Sequence, residues 1–179
     1  MPDPDGPGLT PSASPSPTRP SAYHAEIDLE QVGWAEITEL VAMLTEEERF
    51  APGYFTDPDW SVHDLIVHLT AWFVEARTQL LDIAAWRYVP HAFEVDARNA
   101  VTLASRDREE WGTVWSSAIT ARSWMLEAWY AFREPNETAT AWIRKAGAEH
   151  YAEHVPRLRA WVNEVVRMRD RPAEDRWGW

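Results

Sequence analysis

Residues 60–69 read W-S-V-H-D-L-I-V-H-L and contain the clearest helix start in the chain. Ser61 is followed three residues later by Asp64, just before an apolar run, which is a variant of the capping box with Asp in place of Glu or Gln. The positions that follow recur at helical spacing and predict one buried face. That face comprises Leu65, His68, Trp72, Ala76, Gln79 and Ile83. The sequence therefore predicts a long helix that carries His68 among apolar neighbours.

Similar apolar stripes on both sides of this segment predict three more long helices and one short helix. Residues 51–59, which contain Pro, Gly and Asp, and residues 88–104, which include Pro90, predict connections. No run alternates in the manner of a strand, so the predicted fold class is all-α, with four main helices packed as a bundle. The other predicted helices cover residues 23–44, 107–132, 138–146 and 147–168.

The first predicted helix also carries a group of acidic residues close to its start. Glu26, Asp28 and Glu30 are expected in the first turn, where the helix dipole favours negative charge. The same helix, over residues 23–44, is predicted to bury Ile27, Trp34, Ile37, Val41 and Leu44. The helix over 107–132 is predicted to bury Trp111, Val114, Trp115, Ile119, Met125, Ala128 and Trp129. The helix over 147–168 is predicted to bury His150, His154, Leu158, Trp161 and Val165.

The ends of the chain differ in composition from its centre. Residues 1–20 are rich in Pro, Ser, Asp and Gly, which predicts a disordered tail rather than a signal peptide. One domain is predicted over residues 21–170, followed by a short C-terminal tail over 171–179. No run approaches the roughly 18 apolar residues of a membrane span, so the protein is expected to be cytoplasmic.

The net charge excludes some partners and the absence of cysteine excludes some chemistry. The chain has 17 basic and 29 acidic residues, giving a net charge of −12, which disfavours nucleic acid and anionic membranes as partners. There is no cysteine, which excludes disulfides, zinc–thiolate sites and a cysteine nucleophile. A thiol used in chemistry would have to come from a cofactor.

Three histidines form the candidate site. His150 and His154 are four residues apart and project from one face of the last helix, so both can reach one divalent ion. His68 is the candidate third ligand, and three ligands would leave coordination positions open for water or substrate. The alternative is that these are core histidines bonded to carbonyl groups. The remaining histidines, His24, His63 and His91, are predicted to lie on the surface.

The residue 60–69 segment resembles the start of the second helix in the DinB-like superfamily, which includes the mycothiol-dependent maleylpyruvate isomerases and the ClbS/DfsB-type bundle proteins. There a W-[ST]-V-x-D-x-x-x-H-L pattern supplies one metal-binding histidine and an H-x-x-x-H pattern on the last helix supplies two. The resemblance covers roughly residues 25–168 and includes the segment 96–100 before the third helix. It implies a four-helix bundle of DinB type in which His68, His150 and His154 bind zinc or nickel, and a low-molecular-weight thiol such as mycothiol occupies the open position. The second domain of the isomerases has no counterpart here.

Other residues are weaker candidates for the site. Glu75 could orient a ligand or act as a base, although a solvated position on the helix flank is an equal expectation. Trp72, Tyr151 and Asn99 could line a substrate pocket, and Arg122 could bind an anionic substrate. Glu153 should point away from the two histidines on its helix.

Three functions follow as hypotheses. The first is a metal-dependent transferase, isomerase or hydrolase that acts on a small electrophilic molecule, with a thiol cofactor. The second is a non-catalytic binding or self-resistance protein with a Trp-rich pocket, which the 12 tryptophans would suit. The third is a dimeric structural module with vestigial histidines, since homodimers through helix faces suit such bundles.

Overall fold

A computed structural model of the chain describes residues 21–56, 59–90, 100–104 and 109–171, with the side chains of residues 21–23 and 56 excepted. The fold is all-α, as predicted. The predicted tail over 1–20 and all but Arg171 of the predicted tail over 171–179 lie outside the described residues, as do His91 and Asn99. The elements are α1 (Ser21–Ala42), α2 (Glu46–Phe50), β1 (Phe55–Thr56), β2 (Asp59–Trp60), α3 (Val62–Ala84), α4 (Trp111–Tyr130), α5 (Glu137–Ala146) and α6 (Ala148–Arg169).

The four long helices form two packed pairs. Helix α3 lies against α4 and helix α1 lies against α6, while the shorter α5 contacts all four. Residues 100–104, within the predicted connection, are helical. Among the described residues, no helix combines the length and apolar content that a membrane crossing requires.

Helix α3 begins as the capping motif predicts. The Ser61 side chain accepts from the backbone N–H of Asp64, and Asp64 Oδ2 accepts from the backbone N–H of Ser61 at 2.8 Å. The predicted face is buried throughout, because the helix packs on α4 on one side and α5 on the other. His68 is therefore an interior residue, 5% exposed.

The segment before α3 has more structure than the predicted loop. Thr45 caps the short helix α2 through a second capping box with Glu48. Strands β1 and β2 then form a two-residue antiparallel pairing in which Phe55 lies opposite Trp60. This small hairpin places Tyr54 and Trp60 in the core, where they are 0% and 8% exposed.

The corner between α5 and α6 has no room for a side chain. Gly147 is both the C-cap residue of α5 and the N-cap residue of α6. A Cβ atom there would lie 2.9 Å from Glu30 Cγ and 2.9 Å from the carbonyl oxygen of Ile143. Because glycine has no Cβ, α6 can start immediately against α1, two residues before His150.

Two sequence predictions about where side chains lie on the helices were wrong. Ile119, assigned to the buried stripe of α4, is 46% exposed, because Ala118 and Ala121 occupy the interface with α3. Glu26 and Glu30, expected in the first turn of the first helix, lie beyond it and are buried, at 6% and 1% exposure. The start of α1 at Ser21 places them beyond the first turn, facing arginines from other helices.

Candidate metal centre

The histidines from α3 and α6 meet in the interior of the bundle. His68, His150 and His154 each offer one ring nitrogen, and these atoms lie within 4.8 Å of one another. The Nε2 atoms of His68 and His150 are 2.8 Å apart. All three side chains are buried. Within the described ranges no other group of three or more His, Cys, Asp or Glu residues has this arrangement.

The histidine cluster, meaning His68, His150 and His154, is surrounded by aromatic rings. The Trp60 ring centroid lies 5.1 Å from that of His68, and the Trp72 centroid lies 5.2 Å from that of His150. Phe55 presents an edge to His154 at 6.1 Å. This apolar wall restricts access of water to the imidazole nitrogens.

The environment keeps His150 and His154 uncharged. Burial, followed by the neighbouring His68 and His154 and by the charge of Lys145, lowers the pKa of His150 to about 2. Burial and then His68 lower the pKa of His154 to about 4. Both imidazoles are therefore neutral near pH 7, each with one nitrogen lone pair, as a metal ligand requires.

The donor set fits a divalent metal ion better than it fits core packing. Zn–N bonds of about 2.0–2.1 Å separate tetrahedral ligand nitrogens by about 3.4 Å, so small side-chain shifts would bring this cluster around one ion. His63 provides the contrast within the same helix, because its Nε2 lies 3.1 Å from the carbonyl oxygen of Glu109, in the manner of a structural histidine. In the cluster the ring nitrogens face each other, and His150 Nδ1 is buried with no hydrogen-bond partner among the described residues.

His154 has a partner that the sequence did not predict. The Tyr54 hydroxyl lies 3.0 Å from His154 Nδ1 and 3.4 Å from the His154 carbonyl oxygen. Arg157 donates to the carbonyl oxygens of Tyr54 and Gly53 at 2.5 and 2.6 Å. Burial, opposed by the charge of Arg157, raises the pKa of Tyr54, so its phenol stays protonated. No local motif marks Tyr54, since its partner lies 100 residues away.

The weaker site candidates divide between the cluster and other regions. Trp72 contacts the cluster through both His68 and His150. Tyr151 does not line it, because its ring packs on Trp34 and Phe73 and its hydroxyl donates to Glu30 at 2.8 Å.

Glu75 is buried at 6% exposure rather than solvated, and it accepts a hydrogen bond from Gln79 at 2.7 Å. Asn99 lies outside the described residues.

Two further expectations were wrong. Arg122 was a candidate anion site, but it makes a two-point ion pair with Glu30, at 2.6 and 2.5 Å. His63 was assigned to the surface, but it is 3% exposed and stacks on Phe50. The helix α2 covers it, which the periodicity of α3 alone could not indicate. His24 and Glu153 are exposed, as predicted.

The sequence matches no protein-family model and no curated protein. Among solved structures it is similar to the crystal structure of an uncharacterised protein from Escherichia coli UTI89, with a TM-score of 0.68 and 13% sequence identity. The match covers 82% of this chain and 96% of that chain. At this identity the similarity establishes the helical fold alone.

Proposed function

We propose that this chain is a DinB-like, metal-dependent enzyme that acts on a small electrophilic molecule with a low-molecular-weight thiol as co-substrate. The observation that carries the proposal is the convergence of three buried imidazoles from two helices, two of which have lowered pKa values. The resemblance of residues 60–69 and of His150–His154 to the DinB-like motifs supports it. The order of the ligands along the chain and their helices agree with that resemblance.

The ion we propose is zinc, with nickel as the second choice. Imidazole suits both metals, and three protein ligands leave at least one coordination position for a small molecule. When bound, such an ion supplies Lewis acidity that lowers the pKa of a thiol or of water. An external thiol also fits a chain that has no cysteine of its own.

The surrounding residues would hold and desolvate the reactants. Trp60 and Trp72 pack against the imidazoles and exclude water from their nitrogens. Lys145 brings positive charge to the same side, with Nζ 4.9 Å from the centre of the Trp72 ring. In a chain of net charge −12, this local cation favours an anionic group such as a thiolate beside His150.

A binding protein without turnover is the alternative, and the aromatic wall favours it. Trp60, Trp72 and Phe55 all contact the cluster and could hold an apolar ligand. The two functions differ in whether the ligand is converted, and a turnover assay separates them.

Metal analysis of tag-free protein tests the site. Wild type should contain about one equivalent of zinc or nickel, while His68→Ala and His150→Ala should contain none, because two ligands hold an ion poorly. His63→Ala is the matched control, since it removes a buried histidine from the same helix outside the cluster. Wild-type protein that takes up no metal even on reconstitution would contradict the proposal.

Turnover is tested with the metal-loaded protein. A panel of small electrophiles is incubated with a low-molecular-weight thiol, and consumption is compared between wild type, metal-free wild type and His68→Ala. Consumption by the loaded wild type alone supports an enzyme. Tight binding of an electrophile without consumption supports the binding protein instead.

A further inference from the structure

The Tyr54 side chain contacts His154, one of the three clustered histidines. Its side chain is fully buried, and its hydroxyl contacts both Nδ1 and the carbonyl oxygen of His154, at 3.0 and 3.4 Å. Which group donates in the first contact decides where the proton of the His154 ring is located. A neutral imidazole carries one N–H and one lone pair, and only the nitrogen with the lone pair can bind a metal.

The carbonyl contact indicates the direction of the other hydrogen bond. A carbonyl oxygen can only accept, so a phenol proton that Tyr54 directs to the His154 carbonyl cannot also be donated to Nδ1. The phenol oxygen then accepts from Nδ1–H of the same histidine. Under this arrangement the lone pair of His154 is on Nε2.

We propose that Tyr54 is a positioning residue that fixes the tautomer of His154, so that the Nε2 lone pair is available to an ion shared with His68 and His150. The inference rests on the metal centre proposed above. It concerns Tyr54, the hydrogen-bond partner of the proposed ligand His154, and not the ligand itself. Metal-bound histidines generally donate their other N–H to an oxygen atom that orients the ring.

The loop that carries Tyr54 is attached to the same helix as His154. Arg157, one turn further along α6, donates to the carbonyl oxygens of Gly53 and Tyr54 at 2.6 and 2.5 Å. Gly53 has a φ of +108°, and a Cβ there would lie 3.1 Å from the Trp161 ring, also on α6. The ligand and its hydrogen-bond partner are therefore held by one helix and keep their relative position when other elements move.

The direct test is Tyr54→Phe, which removes the hydroxyl and keeps the ring. Zinc affinity, measured by competition with a chromophoric chelator, should fall by about 10–100-fold, the usual effect of losing the partner of a histidine ligand. Cobalt substituted for zinc should show altered absorption in the visible range, because the His154 ring loses its fixed orientation. Arg157→Met, which keeps the phenol and loosens the loop, should give a smaller fall in affinity.

Tyr151→Phe is the matched control. It also removes a buried phenol hydroxyl from the interior, but that hydroxyl donates to Glu30 of α1 and not to a histidine. This variant should unfold at a lower denaturant concentration and keep the wild-type zinc affinity. A loss of affinity equal to that of Tyr54→Phe would overturn the inference, because general loosening of the core would then explain both.

A measurement without metal separates this inference from the metal proposal. In metal-free wild type, long-range 15N–1H spectra of the imidazoles should show His154 protonated at Nδ1, and Tyr54→Phe should shift this towards Nε2–H. Protonation at Nε2 in the wild type, or unchanged or tighter zinc binding by Tyr54→Phe, would overturn the inference while leaving the metal centre intact. Failure of the wild type to bind zinc would instead overturn the proposed function.

Discussion

Two neighbouring residues of α6, His150 and Tyr151, take part in two different buried polar clusters. His150 belongs to the histidine cluster. Tyr151 belongs to a cluster that we call the ion-pair cluster, in which the Glu30 carboxylate accepts from Arg122 and from the Tyr151 hydroxyl at 2.5–2.8 Å. The ion-pair cluster comprises Glu26, Glu30, Arg122, Arg144 and Tyr151.

The difference lies in how far each cluster satisfies its own polar groups. In the ion-pair cluster, opposite charges meet with hydrogen bonds at both carboxylate oxygens of Glu30. In the histidine cluster, two ring nitrogens lie 2.8 Å apart and His150 Nδ1 has no hydrogen-bond partner in the described part of the chain. A network in which all polar groups are paired fixes helix positions, whereas a cluster that leaves a ring nitrogen unpaired can still bind a ligand. We therefore expect the ion-pair cluster to contribute mainly to stability and the histidine cluster mainly to ligand binding.

The largest effect is expected from breaking the ion-pair cluster. Arg122→Met leaves the Glu30 carboxylate buried without its counter-charge and should lower the free energy of unfolding by about 3–5 kcal/mol. Chemical denaturation of metal-free protein measures this. Zinc content at denaturant concentrations below the unfolding transition should stay at the wild-type level, because Arg122 contacts Glu30 and Trp34 and is not one of the proposed ligands.

The double variant Arg122→Met with Glu30→Gln is its control. Removing both charges should restore much of the lost stability. A double variant as unstable as the single one would show that packing of Arg122, which lies over Trp34, and not its charge, provides the stabilisation.

A smaller, pH-dependent effect is expected from the histidine cluster. An unfolded histidine has a pKa of about 6.5, whereas the folded values are about 2 for His150 and about 4 for His154. As pH falls below about 6.5, the unfolded chain binds protons that the folded protein excludes, so the metal-free protein loses stability. Each histidine should contribute up to about 1.4 kcal/mol per pH unit.

Denaturation of the metal-free protein between about pH 7 and pH 5 measures this slope, in a range where ordinary carboxylates remain ionised. His154→Gln should reduce the dependence of the unfolding free energy on pH by the contribution of one histidine. A slope that is unchanged in this variant would mean that His154 is protonated as easily in the folded as in the unfolded protein.

The smallest effect should come from the outer part of the ion-pair cluster. Arg144 pairs with Glu26 at 2.5 Å, but its side chain is 49% exposed, against 16% for Arg122. Water screens an exposed ion pair, so Arg144→Met should destabilise the protein less than Arg122→Met in the same denaturation experiment. High salt should reduce the difference between Arg144→Met and wild type. Equal losses for the two arginine variants would contradict this order.

The sequence predicted those features that depend on local periodicity. The capping box at Ser61 and the apolar stripe after it predicted α3 and a buried His68. The four-residue spacing predicted that His150 and His154 lie on one face of α6. Predicting that the three histidines come together also requires knowing how the helices pack. The motif resemblance supplied that, because nothing within either helix specifies that α3 and α6 face one another.

The residues that were missed depend on contacts between distant segments. Tyr54 meets His154 across 100 positions, and Glu26 meets Arg144 across 118. The acidic residues of α1 looked typical of a helix start, and their burial became evident only with their arginine partners. Likewise, His63 was assigned to the surface because α2, which covers it, was not predicted.

Gly147 connects the two clusters, with a consequence for how the chain can vary during evolution. Any other residue there would press its Cβ against Glu30 and against the Ile143 carbonyl, and would displace the first turn of α6 that carries His150. One substitution would thus disturb both the ion pair and the histidine geometry. In homologues that keep both clusters, we expect position 147 to admit glycine alone, while exposed positions of the same helix, such as Glu153, diverge freely.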